Sequence, residues 1–291
     1  MPHREPTIRS RELGEGLRQA MLQAGLTGKQ AAQMLDVTPS YVSMLLAGKR
    51  AVSEVDIAAF LGACRIKGAE RDRLLALCRE QDTPGWFQPH GSRLPKQLVT
   101  LIDHENKAVT ISEFEATVVS GLLQTGEYAR AVISRVVNVP PEEVDDRVAA
   151  RLARQSLFAR ERPARFTFYL HESVLRTPVG GPAVMAEQLR HLHRMSERPY
   201  LTLRVLPVAL GAHPAMTGAF RLMEFAEFKP GAYLESETSS LFLERPEEIA
   251  AYRRILAALA DIALSAGQSR ELIAALATGL YADGEDHDDR A

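Results

Sequence analysis

Residues 27–50 read TGKQAAQMLDVTPSYVSMLLAGKR, and the spacing inside this stretch decides the N-terminal fold. Thr27 with Gln30 three residues later has the form of a capping box, so a helix is predicted from about Gly28 to Leu35. Thr38 followed by Pro39 is a second start signal. The hydroxyl caps the helix, and proline at the first helical position gives up an N–H that has no partner there. The second helix ends at Gly48, with Lys49 and Arg50 just beyond it. Two short helices crossing closely need a small residue at the crossing, a tight turn and buried aliphatics after it. Ala32 supplies the small residue, Leu35 and Val37 flank the turn, and Val42 and Leu45 give the second helix its buried face. Asp36 stands where glycine is usual in such a turn, and aspartate tolerates the left-handed conformation better than most residues.

Outward from this pair, the same signals repeat. Leu13, Leu17, Ala20, Met21 and Ala24 recur at helical spacing before Gly25. Ser53 caps a helix with Ile57, Phe60, Leu61 and Cys64 on one face, and Leu74, Leu75, Leu77 and Cys78 lie in a fifth. Residues 1–80 are therefore expected to form an all-α, five-helix domain. Residues 81–94 hold Pro84, Gly85, Pro89 and Gly91, the chemistry of a linker, with Trp86-Phe87 expected to anchor it. Residues 95–278 mix helix and strand. Helical patterns cover Leu98–Glu105, Glu127–Val136, Glu142–Phe158, Pro182–Ser196, Pro246–Ala266 and Ser269–Thr278. Extended patterns cover Val109–Phe114, Phe166–Leu170, Leu201–Leu206, Phe220–Phe225, Ala232–Glu235 and Leu241–Leu243. A βαβ order followed by hairpin-like strands points to an α+β domain with a mainly antiparallel sheet. The acidic end, residues 279–291, lacks apolar anchors and reads as disordered.

A pair of crossing helices with a basic exit is a helix-turn-helix. Its second helix would present Ser40, Tyr41, Ser43 and Met44 outward near the N-terminal half, the part that reaches base edges in a major groove. Lys49 and Arg50 suit phosphate contacts, which position a protein without reading sequence. Thr38, Lys29 and Gln30 complete the expected DNA-facing set. The exposed first turns carry no Arg, Gln or Asn, so hydroxyls and a Met-to-methyl contact would have to read bases.

Composition agrees with this division. Of 291 residues, 46% are hydrophobic and 25% charged, ordinary for a globular chain with its own core. The net charge of -2 is uneven: residues 1–80 carry 12 Lys/Arg against 9 Asp/Glu, leaving the rest acidic. No apolar run could span a bilayer, and nothing at the N-terminus resembles a secretory signal, so a cytoplasmic protein is expected. Two cysteines, Cys64 and Cys78, fit a reducing compartment.

Other constellations are weaker. His171-Glu172 lacks the second histidine of a zinc motif. His191 and His193 are two apart on a helix and point to different sides. The two cysteines cannot complete a metal site. Gly180-Gly181-Pro182 lacks the lysine of a phosphate loop. The basic run Arg147–Arg165 reads as a solvated helix face. No catalytic set, metal site or cofactor motif emerges. His213, in a loop between two strands, is the body's chief candidate for a ligand or partner contact, against the plainer role of bonding its own turn. Glu235, Glu237 and Glu244 could attract a cationic partner, or simply rim an exposed sheet.

The chain also resembles a known family. Residues 10–80 resemble the Xre/lambda-repressor-like helix-turn-helix domain, carried by VTPSYVSMLLAGKR. The body resembles actinobacterial regulators of the WhiJ-like type in GLLQTGEYARAV at Gly121–Val132, LRVLPVALGAHPAMTGAF at Leu203–Phe220 and SSLFLE at Ser239–Glu244. Val119-Ser120-Gly121 departs from that type, which usually has proline before the glycine. The resemblance implies a five-helix DNA-binding head, a regulatory body and a small partner protein encoded nearby. The reading is thus a sequence-specific transcriptional regulator acting on a double-stranded operator as a homodimer, its body binding an effector or small partner protein. The alternatives are an antitoxin-like protein that mainly sequesters its partner, and an enzyme with a DNA-targeting head.

Overall fold

A computed structural model describes residues 7–49, 52–79, 86–89, 96–237 and 239–280. Arg50 and the acidic end beyond Leu280 lie outside them, as does most of the expected linker. The chain divides into two compact units. One comprises residues 1–88 with 225–231 and 241–249, and the other residues 89–224, 232–240 and 250–291.

The first unit is built on five helices, α1 (Ile8–Gln23), α2 (Gly28–Met34), α3 (Pro39–Leu46), α4 (Glu54–Ala63) and α5 (Gly68–Arg79). The caps fall where hydroxyls stand. Thr27 and Gln30 close the capping box of α2, Thr38 caps α3 through the Tyr41 N–H at 3.1 Å, and Ser53 with Asp56 caps α4. Apolar side chains from all five helices meet in one core. Leu17, Ile57, Phe60, Leu61 and Leu74 are fully buried there, each contributing about 1.5–3 kcal/mol. Asp36 takes the left-handed turn with φ +53°. Helices α1 and α3 approach so closely that a Cβ at Gly14 would sit 2.4 Å from the Leu46 carbonyl oxygen. Gly48, at φ +67°, ends α3 against α1, where a Cβ would lie 2.6 Å from the Ser10 carbonyl oxygen. Cys64 and Cys78 are buried free thiols whose pKa burial raises, as suits structural rather than reactive groups.

The strands are β1 (Trp86–Pro89), β2 (Ala108–Glu115), β3 (Arg165–His171), β4 (Leu201–Leu206), β5 (Phe220–Phe225), β6 (Gly231–Glu235) and β7 (Ser239–Leu243). They form one sheet in the order β1-β7-β6-β5-β2-β3-β4. Strand β1 falls inside the stretch expected to be linker; the anchoring expected of the Trp86-Phe87 side chains lies outside what is described.

The sheet is mixed, which corrects the expectation of a mainly antiparallel one. β2 and β3 run parallel with Ile111 opposite Phe166, and β3 and β4 run parallel with Phe168 opposite Leu203. The cause lies in the connections. Helices α7 (Gly126–Ile133) and α8 (Val144–Ala153) separate β2 from β3, and α9 (Glu172–Arg176) and α10 (Pro182–Met195) separate β3 from β4. Long helical crossovers return a strand in the same direction, whereas the short loops between β5, β6 and β7 only permit antiparallel neighbours.

The remaining helices, α6 (Lys96–Lys107), α11 (Pro246–Ile262) and α12 (Ala266–Gly279), complete the fold. In the second unit α10 buries Met185, Leu189 and Leu192. Helix α12 is tied to β4 by the Ser269 hydroxyl, which accepts from the Val205 N–H at 3.0 Å. Among the described residues no helix is long and apolar enough to cross a membrane, and no group of three potential metal ligands occurs.

Candidate nucleic-acid interface

The capped N-terminus of α3 places its side chains in two classes. Val42, Leu45 and Leu46 point into the core. Ser40, Ser43 and Met44 are exposed on the opposite face. Tyr41 departs from the outward orientation read from the sequence. It is half-buried against the helical core, with its hydroxyl 3.5 Å from the Asp56 carboxylate. The aromatic ring is too large to leave solvated beside an apolar neighbour.

Two of the expected contact residues are already engaged locally. The Thr38 hydroxyl accepts the Tyr41 N–H, and the Gln30 side-chain Oε1 accepts from both the Thr27 N–H and its hydroxyl at 2.8 Å. Lys29 is exposed in the first turn of α2. Between α2, α3 and α1 runs an open groove of about 530 Å³ that brings Arg18, Thr27, Lys29, Pro39 and Ser43 together. Arg18 was not among the sequence candidates. Its guanidinium donates to the Leu46 carbonyl at 3.4 Å, so it sits at the exit of α3, a placement that only the packing of α1 reveals.

Lys49 follows α3, its N–H closing the helix end on the Met44 carbonyl at 3.0 Å. Its ammonium donates to the Glu227 carboxylate at 2.9 Å, within the same compact unit. That hydrogen bond and the lysine charge hold the Glu227 pKa below the usual carboxylate value.

In the second unit, His213 is half-buried. Its Nδ1 accepts the Ala215 N–H at 3.2 Å, and its ring lies against two others, stacked on His171 at 5.5 Å and edge-on to Phe114 at 5.4 Å. Burial, then the neighbouring His171, lowers its pKa. His171 ends β3, opposite Leu206 at the end of β4, so both histidines cluster at the carboxyl ends of the parallel strands. Their pairing was hidden from the sequence because it depends on strand direction. Glu235 and Glu237 are exposed at the β6–β7 turn, and among the described residues no hydrogen bond joins either to His213, whereas Glu244, expected with them on an exposed acidic rim, is buried just past the end of β7.

The basic run also differs from the solvated face expected of it. Arg154 is buried, pairing with Glu105 at 2.6 and 3.0 Å, while Arg151 donates to the Gln124 side-chain oxygen at 2.9 Å. Arg221 on β5 joins the same cluster, bonding Glu113 at 2.8–2.9 Å and also Glu105. Burial opposes ionisation of Glu113, but Arg221 outweighs it and the pKa falls. Burial and Glu113 together push Glu115 well up.

Comparison with known proteins places both parts of the chain. Residues 98–275 match a domain of unknown function, DUF5753, and residues 12–74 match a helix-turn-helix domain. The first five helices thus form a helix-turn-helix domain. No curated protein matches. Among solved structures, the clp gene regulator ClgR from C. glutamicum is 28% identical over 27% of this chain and 95% of its own, with a TM-score of 0.22. The archaeal chromatin protein TrmBL2 is 11% identical over 82% of this chain and 88% of its own, with a TM-score of 0.29. Both superpose only loosely on this chain.

Proposed function

The chain belongs to the DUF5753 family, and from that premise we propose that it is a sequence-specific DNA-binding transcriptional regulator of the Xre-like, WhiJ-like kind. The observation that carries the reading is α3. Its capped N-terminal half exposes Ser40, Ser43 and Met44 on one face, and Lys49 follows at its end, within a matched helix-turn-helix domain. In this reading the hydroxyls and the thioether face base edges, Lys49 and Arg50 contact phosphates, and Lys29 supports from α2. Two such domains in a homodimer, about 34 Å apart, would fit a palindromic operator.

The DUF5753 region is assigned to regulation rather than catalysis, as the binder of an effector or a small partner protein. Support comes from His213, which stands with His171 at the carboxyl ends of parallel strands, the edge where open α/β sheets receive ligands. Its most prominent buried charges are consumed by one another, as Arg221, Arg154, Glu105 and Glu113 illustrate. An effector at that edge would act on DNA binding only through different affinity for DNA-competent and incompetent states.

The test is selection of duplexes from a random pool by the full-length chain. Enrichment of a two-fold symmetric sequence is expected. Retention of the whole pool without enrichment would contradict sequence-specific regulation.

A further inference from the structure

The segment Phe225–Gly231 lies inside the DUF5753 match, yet it packs within the same compact unit as the helix-turn-helix. An ion pair and cation–ring contacts hold it there. Glu227 engages the Lys49 ammonium at 2.9 Å. Arg11 of α1, itself buried, sets its guanidinium 4.6 Å from the Phe225 ring centroid and 4.8 Å from that of Phe228. The two aromatic rings thus bracket a cation on α1 while the carboxylate between them in sequence reaches the residue that ends α3.

We propose that residues 225–228 form an autoinhibitory latch, in which the Glu227 carboxylate occupies the place of a DNA phosphate on Lys49. The proposal rests on the reading of Lys49 as a phosphate contact. A carboxylate and a phosphate oxygen make the same charge-assisted bond to an ammonium, and one lysine directed at Glu227 is not available to DNA. Phe225 and Phe228 give the latch its position, since a cation held against aromatic faces fixes the segment without using the carboxylate. Glu227 is largely exposed, with 68% of its side-chain surface accessible. The pair is therefore weak enough for DNA to displace, which is what a latch requires. The segment is continuous with β5 and β6, so whatever changes the DUF5753 region has a covalent route to the latch.

The experiment is a double-mutant cycle on the full-length chain, with Glu227→Gln, Lys49→Ala and the pair together. Binding is measured to a random duplex of about 30 base pairs at low salt. Glu227→Gln should tighten binding about two- to fivefold, the scale of an exposed ion pair. In the Lys49→Ala background the same change should have no effect. No tightening in the wild-type background, while Lys49→Ala still weakens binding, would overturn the latch and leave the phosphate contact standing. Equal tightening in both backgrounds would also overturn it, because the effect would then be one of net charge. If Lys49→Ala itself leaves affinity unchanged, the phosphate reading falls and the latch falls with it.

Discussion

Replacing Arg221 by methionine is the most informative perturbation of the second unit. Arg221 is 6% exposed and its two carboxylate partners, Glu105 and Glu113, are 1% and 2% exposed. Together with Arg154, these groups form a neutral quartet of two cations and two anions inside the fold. Arg221→Met fills a similar volume, so the cost is electrostatic. Glu105 keeps Arg154, but Glu113 is left as a buried charge. Breaking a buried pair from one side costs about 3–5 kcal/mol, because the abandoned charge has lost both its water and its cation, and the Glu115 and Ser120 side chains that also bond Glu113 carry no positive charge to replace it. Native-state hydrogen exchange of the β2 and β3 amides reads this unit on its own. Protection there should fall by roughly two to four orders of magnitude at about 1.4 kcal/mol per tenfold. Arg221→Met combined with Glu113→Gln should recover most of the loss, since both members of that pair are then neutral. Protection reduced less than tenfold by the single change, or a double variant no better than the single, would refute the argument.

Two further predictions concern stability. Gly48→Ala should cost at least about 2 kcal/mol, from the left-handed backbone and the contact with the Ser10 carbonyl, whereas Gly28→Ala, which meets nothing within 4 Å, should be nearly neutral; urea unfolding of the helical unit compares them. His191 and His213 are both lowered by burial, so the unfolded chain takes up protons first as pH falls below about 6.5. Their contribution is present above that pH and lost below it, mostly through the deeper His191. The melting temperature should drop between pH 7.5 and 5.5, less so in His191→Gln, and a melting temperature rising on acidification would contradict the assignment.

The helical unit was legible because its signals are local. Thr27, Thr38 and Ser53 each cap the helix that follows, and Asp36 adopts the turn conformation its side chain tolerates. Ala32 and Val42, singled out by spacing, are buried. What was not legible depends on partners far along the chain. Strand direction is set by crossovers rather than by strand patterns, so the parallel β2-β3-β4 arrangement and the meeting of His171 with His213 were hidden. Arg154 looked like part of a solvated face until Glu105, 49 residues away, took its charge. Glu227 lies 178 residues from Lys49, and no periodicity could have joined them.

If α3 reads sequence while Lys49 only holds phosphate, loss of a serine and loss of the lysine must differ in their effect on specificity and on salt dependence. Affinities of the full-length chain for its selected duplex and for a random duplex are measured across salt, for wild type and for Lys49→Ala, Ser40→Ala and Ser43→Ala. Lys49→Ala should weaken both duplexes by about the same factor and flatten the log–log salt slope by about one. Ser40→Ala or Ser43→Ala should leave that slope unchanged and lower the selected-to-random ratio by about fivefold, the scale of one hydrogen bond. Serine variants that keep the full ratio, with the ratio falling on loss of Lys49 instead, would contradict the placement of α3 in the groove.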